Sequence, residues 1–214
     1  MNVGIIGSGV VAQALGVGFL QHRHEVMMGT REPAKLAAWQ AQHQGARVGT
    51  FEDTAQFGEL LVLAVKGTAA VDALRLAGAD TIAGKTIIDT CNPIADEPPV
   101  DGVLKFFTGP NESLMQQLQA EFANLRFVKA FNSVGSDSMV HPQFSAGPPT
   151  MFICGNDPAA KTTVSGILEQ FGWETADMGG AEAARAIEPL CILWCIPGFA
   201  RNDWGPRAFK LLHE

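Results

Sequence analysis

The chain has 214 residues, of which 47% are hydrophobic and 17% are charged, and its formal net charge is −7 at pH 7. This composition predicts a globular protein and excludes an intrinsically disordered one, and the acidic balance disfavours non-specific binding to nucleic acid. The sequence contains no tyrosine, which excludes dehydrogenases that use a tyrosine side chain as their general acid.

The first part of the chain alternates between short apolar runs and helical segments. The predicted strands cover residues 3–6, 25–28, 60–65, 86–89 and 126–131, and the predicted helices cover 10–21, 33–43, 68–77 and 111–122. The runs are continuously apolar, which is typical of parallel strands that are covered on both faces. The pattern therefore predicts an α/β fold with a Rossmann-like, doubly wound parallel sheet.

The pattern changes near residue 133. Residues 132–149 are predicted as an extended loop, and residues 150–154 and 175–178 as strands flanking a helix over 158–171. A long apolar helix over 181–195, which Pro189 should kink or break, and a short helix over 206–212 are predicted to follow. We therefore predict a dinucleotide-binding domain of residues 1–133 and a small, mostly helical C-terminal lobe of residues 134–214.

Residues 7–12 match the pattern G-x-G-x-x-A and lie between the first strand and the first helix. Gly7 permits a tight turn, Gly9 lets the backbone approach a pyrophosphate, and Ala12 lets the helix pack closely on the strand. The free N–H groups at the start of the helix attract phosphate. The predicted pyrophosphate-binding residues are Gly7, Ser8, Gly9, Val10, Val11 and Ala12.

The end of the second predicted strand distinguishes between the two nicotinamide cofactors. NAD enzymes usually place an acidic residue there, whereas this sequence has Gly29, Thr30 and Arg31, with Lys35 four positions after Arg31. A hydroxyl group and two cations suit a 2′-phosphate, so the pattern favours NADP(H). Glu32 keeps NAD open as the alternative, because it lies about 20 residues beyond the glycine motif.

Further candidate residues lie at the predicted carboxyl ends of strands, where ligands of such sheets bind. Val65 and Lys66 end the strand that could line the nicotinamide ribose with its backbone. Asn92 and Asn132 follow two other strands. Each of these asparagines alone fits a turn equally well, but two at one edge favour a shared ligand crevice.

These residues together resemble the coenzyme F420-dependent NADP oxidoreductase family, which also occurs as the cytoplasmic reductase domain of STEAP-type metalloreductases. The segments that carry the resemblance are 7–12, 29–31 with Lys35, 89–93, 128–133, 184–190 and 209–212. The resemblance implies direct hydride transfer between NADP(H) and coenzyme F420 or a flavin, with no essential protein acid or base. It places Val65, Ala130 and Asn132 near the nicotinamide, and Asn92, Pro93 and Gly135, with loop 136–139, beside the acceptor.

The remaining side chains lead to structural expectations. The cysteines and histidines have no metal-ligand spacing, so no metal site is expected, and Cys191 and Cys195 are interpreted as core thiols rather than as a redox pair. Arg185 and Glu188 are expected to form an ion pair on the helix surface. The apolar run over 190–199 is interrupted by Pro197 and Gly198 and is therefore expected to be too short to span a membrane. Because that run is wider than one helix face, we expect a homodimer through it, in the cytoplasm, with a small-molecule redox acceptor as partner.

Two other functions fit parts of the pattern. One is an NADP-dependent dehydrogenase of the β-hydroxyacid or imine-reductase type, but those hydroxyacid enzymes use a lysine on the helix after the sheet, and residues 181–200 contain none. The other is a sensor that binds NADP without turning it over. The sensor predicts nucleotide binding with no oxidation of NADPH by a flavin or a deazaflavin.

Overall fold

The computed structural model describes residues 1–78 and 80–212, and its main sheet contains six strands. The strands of the chain are β1 (Asn2–Ile6), β2 (Glu25–Gly29), β3 (Arg47–Gly49), β4 (Leu60–Leu63), β5 (Thr86–Asp89), β6 (Arg126–Lys129), β7 (Thr150–Ile153) and β8 (Glu174–Asp177). The main sheet has the order β3-β2-β1-β4-β5-β6, and every neighbouring pair in it is parallel. This is the strand order of the Rossmann fold, so the predicted fold class is confirmed.

Some of the helices begin at a side-chain cap. The α-helices are α1 (Val10–Gln21), α2 (Ala37–Gln42), α3 (Phe51–Phe57), α4 (Ala70–Leu76), α5 (Leu114–Glu121), α6 (Pro158–Gln170), α7 (Ala184–Ile187) and α8 (Leu190–Arg201). The side chain of Ser113 accepts a hydrogen bond from the backbone N–H of Gln116 and caps α5. Asp157 caps α6 in the same way. The segment predicted as one helix from Pro33 begins as a 3₁₀ turn, Pro33–Leu36, and continues as α2.

The core lies on both faces of the main sheet. On one face, Val3, Ile5 and Val62 pack with residues of α1 and α6. On the other face, the side chains of Leu61 and Leu63 pack with residues of α3, α4 and α5. Burial on both sides explains why these strands are apolar without alternation.

The C-terminal lobe adds a second, two-stranded sheet in which β7 and β8 are parallel and are connected by α6. The ring of Phe171, at the end of α6, lies 5.0 Å from the ring of Phe19 in α1. The indole N–H of Trp173 donates a hydrogen bond of 2.8 Å to the carbonyl of Met139. These contacts hold the lobe on the α1 face of the main sheet, and the boundary at residue 133, between β6 and β7, stays a prediction.

The predicted break at Pro189 is confirmed, because α7 ends at Ile187 and α8 begins at Leu190. The expected interruption at Pro197 is wrong, since α8 continues through Pro197 to Arg201. Proline removes one backbone donor but need not end a helix. As a result, the helical residues from Ala181 to Arg201, counted across the turn between α7 and α8, form a span of 21 residues. This span is long and apolar enough to cross a membrane by length and composition, a test that core helices of soluble proteins also pass.

The predicted helix over residues 206–212 is wrong, because this segment has no regular secondary structure. The backbone N–H of Thr150 donates to the carbonyl of Phe209 at 2.9 Å, and the N–H of Leu211 donates to the Thr150 hydroxyl at 3.1 Å. These hydrogen bonds with the first residue of β7 satisfy backbone groups that a helix would have paired locally. Tertiary contacts have overridden the local helix propensity.

Candidate active site at the carboxyl edge of the sheet

A groove of about 1070 Å³ lies along the carboxyl ends of β1, β2, β4 and β5. This is the edge at which parallel sheets bind ligands, on either side of the point where the strand order reverses. Most of the predicted cofactor-binding residues line the groove: Gly7, Ser8, Gly9, Val10, Val11, Thr30, Arg31, Lys35, Val65, Lys66 and Asn92. The structure thus brings together residues that the sequence places at four separate strand ends.

Gly7 and Gly9 have different surroundings. Gly7 has a φ of +144°, and its N–H donates to the carbonyl of Gly29 at 3.0 Å. A Cβ atom at Gly7 would collide with the carbonyl of Ala64, whereas a Cβ at Gly9 would meet no atom within 4 Å. Gly7 is therefore required by the fold itself, and the open space above Gly9 is available to a ligand.

The first turn of α1 leaves its backbone donors available. This turn, all of it within the described residues, has no acidic side chain, and no side chain caps it at Gly9. The side chain of Gln13 donates to the carbonyl of Ser8 at 2.9 Å and fixes the peptide before the helix. Unpaired N–H groups and the positive end of the helix dipole suit a pyrophosphate. Ala12 lies beneath the groove and is fully buried against the core.

The polar end of the groove is formed by residues that follow β2. Thr30 is buried, and its hydroxyl accepts a hydrogen bond of 3.4 Å from the backbone N–H of Glu32. The ammonium group of Lys35 lies 3.0 Å from the carboxylate of Glu32, and both side chains are exposed. Among the described residues Arg31 has no carboxylate within 4.0 Å, so its guanidinium is the unpaired cation of this end.

The opposite end of the groove is formed by the backbone segments that follow β4 and β5. The hydroxyl of Thr90 donates to the carbonyl of Leu63 at 3.0 Å, and the thiol of Cys91 lies 3.2 Å from the carbonyl of Val65. Burial raises the pKa of Cys91 well above its ordinary value, so this thiol stays protonated. A Cβ atom at Gly67 would collide with the carbonyl of Asn92, which explains why a glycine follows Lys66.

A smaller cavity of about 170 Å³ adjoins the groove, and Val11, Thr90 and Asn92 line both. The other residues that line it are Phe131, Asn132, Ser133, Val134, Met139, Cys191, Trp194 and Cys195. Its walls are mainly apolar, aromatic and sulfur-containing, with a few amide and hydroxyl groups. A mainly apolar lining with a few polar groups is typical of small-molecule sites, and the volume suits part of a ligand that also extends into the groove.

Asn92 and Asn132 are in direct contact at the edge of this cavity. The Asn92 amide donates to the carbonyl of Asn132 at 2.8 Å, and the Asn132 amide donates to Oδ1 of Asn92 at 3.1 Å. The Asn132 amide also donates to the carbonyl of Ile187 at 3.1 Å. Phe131, immediately before Asn132, has a φ of +61°, which is uncommon for a bulky residue and is typical of constrained site positions.

Three other predicted residues lie near the cavity but do not line it. Pro93 is buried, and its carbonyl accepts a hydrogen bond of 2.8 Å from the N–H of Phe107. Ala130 is fully buried in the core. Gly135 packs directly beneath the indole of Trp194, so the wall at this point is formed by Trp194.

Sequence reasoning missed the contribution of α8 to the cavity. Cys191, Trp194 and Cys195 line it together, and their spacing of i, i+3 and i+4 places them on one helix face. In the sequence, this spacing is the feature that could have shown that the three side chains share one face of a helix. The Cys191 thiol hydrogen-bonds to Cys195, which raises the pKa of Cys191 and lowers that of Cys195.

The expected ion pair between Arg185 and Glu188 is wrong. Arg185 is exposed and donates to the side-chain oxygen of Gln116 at 2.7 Å. Glu188 is 1% exposed and lies 2.9 Å from the ammonium group of Lys129, which also lies 2.7 Å from the carboxylate of Asp89. The two charged residues of the helix therefore point in different directions, one to solvent and one to a buried cluster.

Known proteins share both the sequence pattern and the fold. The family model "NADP oxidoreductase coenzyme F420-dependent" matches residues 2–93. A solved structure of a candidate F420-dependent NADP-reductase from Arthrobacter sp. FB24 is 30% identical, with full coverage of both chains and a TM-score of 0.91. An imine reductase from Aspergillus terreus, solved with NADPH4 and dibenz[c,e]azepine, has a TM-score of 0.67 over 90% of this chain and 59% of its own; at 18% identity this likeness concerns the fold alone.

A longer protein also matches most of the chain. Metalloreductase STEAP3 from Rattus norvegicus is 30% identical over 204 residues, which are 92% of this chain and 38% of the metalloreductase. The chain thus spans well under half of that relative. The full-length match to the Arthrobacter structure and the family model agree with each other and with the geometry of the groove. The chain belongs to the family of coenzyme F420-dependent NADP oxidoreductases.

Proposed function

We propose that this protein transfers hydride between NADP(H), held in the groove, and a deazaflavin such as coenzyme F420 or a flavin-like acceptor, held against the small cavity. The observation that carries the proposal is the continuity of the two spaces, which share Val11, Thr90 and Asn92. A dinucleotide that extends from α1 past Thr90 would bring its nicotinamide to this junction. An acceptor in the cavity would then lie beside the nicotinamide.

The polar end of the groove supports NADP(H) rather than NAD(H). Thr30 and Arg31 supply a hydroxyl and an unpaired guanidinium at the end of β2, where an NAD enzyme usually has a carboxylate. The carboxylate of Glu32 is engaged with Lys35. A guanidinium binds phosphate through two parallel hydrogen bonds, which favours a nucleotide that carries a 2′-phosphate.

The lining of the cavity supports transfer without a protein acid or base. Of the described residues that line it, only Cys191 and Cys195 carry titratable side chains, so the cavity contains no carboxyl, imidazole or amino group that could serve as an acid or base. The chain therefore orients and encloses the reactants rather than moving a proton between them. When bound, the nicotinamide supplies the hydride chemistry. The apolar wall formed by Val11, Phe131 and Trp194 would limit the access of water to the junction once both ligands are bound.

The test is oxidation of NADPH, followed by absorbance, against coenzyme F420, FMN, FAD, riboflavin and quinones. We expect turnover with F420 or a flavin. Binding of NADPH with no oxidation by any acceptor would contradict catalysis and favour the sensor. Turnover of an imine or a hydroxyacid in the absence of the other acceptors would contradict the proposed acceptor class.

We also propose that two copies associate through the outer face of α8 in the cytoplasm. Leu193 is 56% exposed, and Phe199 and Trp204 are exposed nearby. Exposed apolar side chains at this density are typical of an association surface. Size-exclusion chromatography with light scattering should show a dimer that Leu193→Glu converts to a monomer, and a monomer of the unaltered protein would contradict the proposal. Fractionation of cells should place the protein in the cytoplasmic fraction.

A further inference from the structure

We propose that Lys129, Asp89 and Glu188 form a positioning unit that holds Oδ1 of Asn132 as a hydrogen-bond acceptor for the nicotinamide of NADP(H), at the junction where the groove meets the small cavity. The inference rests on the proposed function, because it assigns the carboxamide N–H of the nicotinamide as the donor. None of the three charged residues lines the cavity. They act on it through the backbone of their neighbours.

The unit is a buried cluster of one cation and two carboxylates. The ammonium group of Lys129 lies 2.7 Å from Asp89 and 2.9 Å from Glu188, and all three side chains are at most 2% exposed. Burial alone would lower the pKa of Lys129, but the two carboxylates more than offset it, so the pKa lies above its ordinary value. Lys129 therefore remains charged between the two carboxyl groups.

The cluster holds both polar groups of the peptide backbone at Cys91. Oδ1 of Asp89 accepts a hydrogen bond of 2.9 Å from the N–H of Cys91, and Lys129 donates one of 2.7 Å to the carbonyl of Cys91. Asn92 is the next residue, and its amide donates to the carbonyl of Asn132. The position of Asn92 is thus set by the cluster directly behind it.

Glu188 connects the same cluster to the other side of the cavity. Its carboxylate accepts hydrogen bonds from the backbone N–H groups of Leu114 at 2.9 Å and Met115 at 3.0 Å, at the start of α5. The free N–H groups and the positive end of that helix favour a carboxyl group at this position. The residue before Glu188 is Ile187, whose carbonyl accepts from the Asn132 amide.

Asn132 is therefore held between two points that the cluster fixes. Its amide nitrogen donates to Oδ1 of Asn92 and to the carbonyl of Ile187, which determines which end of the side chain carries the oxygen. That oxygen is buried and has no hydrogen-bond partner among the described residues. Asn132 is 4% exposed and lines the cavity. An unpaired buried acceptor is costly, and a donor on a ligand would satisfy it.

The charged character of the cluster supports a role beyond stability. Apolar side chains of similar size would often stabilise a core as well as a buried ion pair does, because charges lose their hydration on burial. Directional hydrogen bonds to Cys91, Leu114 and Met115 are what apolar side chains could not supply. The cluster fixes orientation, which matters where small displacements change a ligand contact.

The experiment compares NADPH with 2′,5′-ADP, which fills only the adenosine end of the groove. Because removal of Lys129 would leave two buried carboxyl groups without a cation and would lower the stability of the fold, the binding test uses Glu188→Gln, which keeps the size of the side chain. Glu182→Gln is the matched control, since Glu182 is exposed on the same segment. We expect Glu188→Gln to raise the dissociation constant of NADPH by about tenfold and that of 2′,5′-ADP by less than about twofold.

A double-mutant cycle separates positioning from general destabilisation. Since the cluster acts through Asn132, adding Glu188→Gln to Asn132→Ala should cause little further loss of NADPH affinity. Additive losses, or equal losses for both nucleotides, would overturn the positioning role. If the unaltered protein bound 2′,5′-ADP no better than 5′-AMP, the result would contradict the binding of NADP(H) in the groove. The proposed function would then fail, and the assignment of the nicotinamide carboxamide as the donor would fail with it.

Discussion

Asn92 and Asn132 exchange two hydrogen bonds, of 2.8 and 3.1 Å, although they are 40 positions apart in the chain. They follow β5 and β6, which are adjacent in the sheet. The contact joins two strand ends at the place where the groove meets the small cavity. It is therefore both a structural link and part of the candidate site.

Asn92→Ala should reduce the stability of the protein. The substitution leaves the carbonyl of Asn132 without the amide donor of Asn92, and a buried polar group that loses its partner costs about 1–3 kcal/mol. Urea denaturation should show a loss of this size in the free energy of unfolding. Asn111→Ala, at an exposed position, is the control and should leave it nearly unchanged; equal effects would show that the link is not stabilising.

The two glycines of the G-x-G-x-x-A motif should respond differently to alanine. Gly7→Ala places a Cβ against the carbonyl of Ala64 at a positive φ and should lower the free energy of unfolding by more than about 1 kcal/mol. Gly9→Ala meets open space and should change that free energy by less than about 0.5 kcal/mol.

Gly9→Ala should affect the binding of NADPH more than it affects the stability of the fold. A methyl group at Gly9 would occupy the space that we assign to the pyrophosphate, so Gly9→Ala should weaken NADPH binding in a protein that is still fully folded. Isothermal titration calorimetry on the folded variant measures this. Unchanged affinity would show that the pyrophosphate does not approach Gly9.

The sequence predicted five of the six strands of the main sheet, and the groove, because their signals are local; it did not predict β3 and α3, which are short and mostly polar. Continuous apolar runs define β1 and β4, and the spacing of Gly7 and Gly9 is read within a single turn. The contacts of Lys129 with Asp89 and Glu188 could not be predicted in the same way, because they depend on which strands become neighbours in the sheet. Glu188 illustrates the difference: its nearest charged residue in the sequence is Arg185, but burial directs it to Lys129.

The segment after α8 illustrates a second limit. Residues 206–212 have a sequence compatible with a helix, but their backbone pairs with Thr150 at the start of β7. The wall formed by Cys191, Trp194 and Cys195 has a readable helical spacing, yet only the position of α8 beside Asn132 makes it part of a cavity. Local patterns predict elements, whereas their mutual placement determines which side chains share a site.

Arg31→Ala tests the assignment of the 2′-phosphate. Loss of the unpaired guanidinium should raise the dissociation constant of NADPH by at least about tenfold, equivalent to about 1.4 kcal/mol, and leave that of NADH nearly unchanged. Arg47→Ala is the control, because Arg47 begins β3 at the opposite edge of the sheet and pairs with Glu25. Equal losses for both nucleotides would contradict the assignment.

The buried ammonium group of Lys129 should make stability depend on alkaline pH. Its pKa is above the ordinary 10.5 in the folded protein, because Asp89 and Glu188 outweigh the effect of burial. The folded state keeps this proton at a pH where the unfolded chain has lost it, so the contribution is fully present below about pH 10.5 and declines as the pH rises through the folded pKa. Lys129→Met should lack this decline.

The measurement is the free energy of unfolding of the protein that retains Lys129 minus that of Lys129→Met, followed from pH 8 to about pH 11.5. The absence of tyrosine removes one group that would otherwise titrate in this range. The buried thiols of Cys91 and Cys154 also have raised pKa values, which the charge of Lys129 partly lowers. Both proteins therefore carry alanine at these two positions, so that the difference between the curves reports Lys129. The difference should shrink above pH 10.5, and parallel curves would show that Lys129 carries no charge that stabilises the fold.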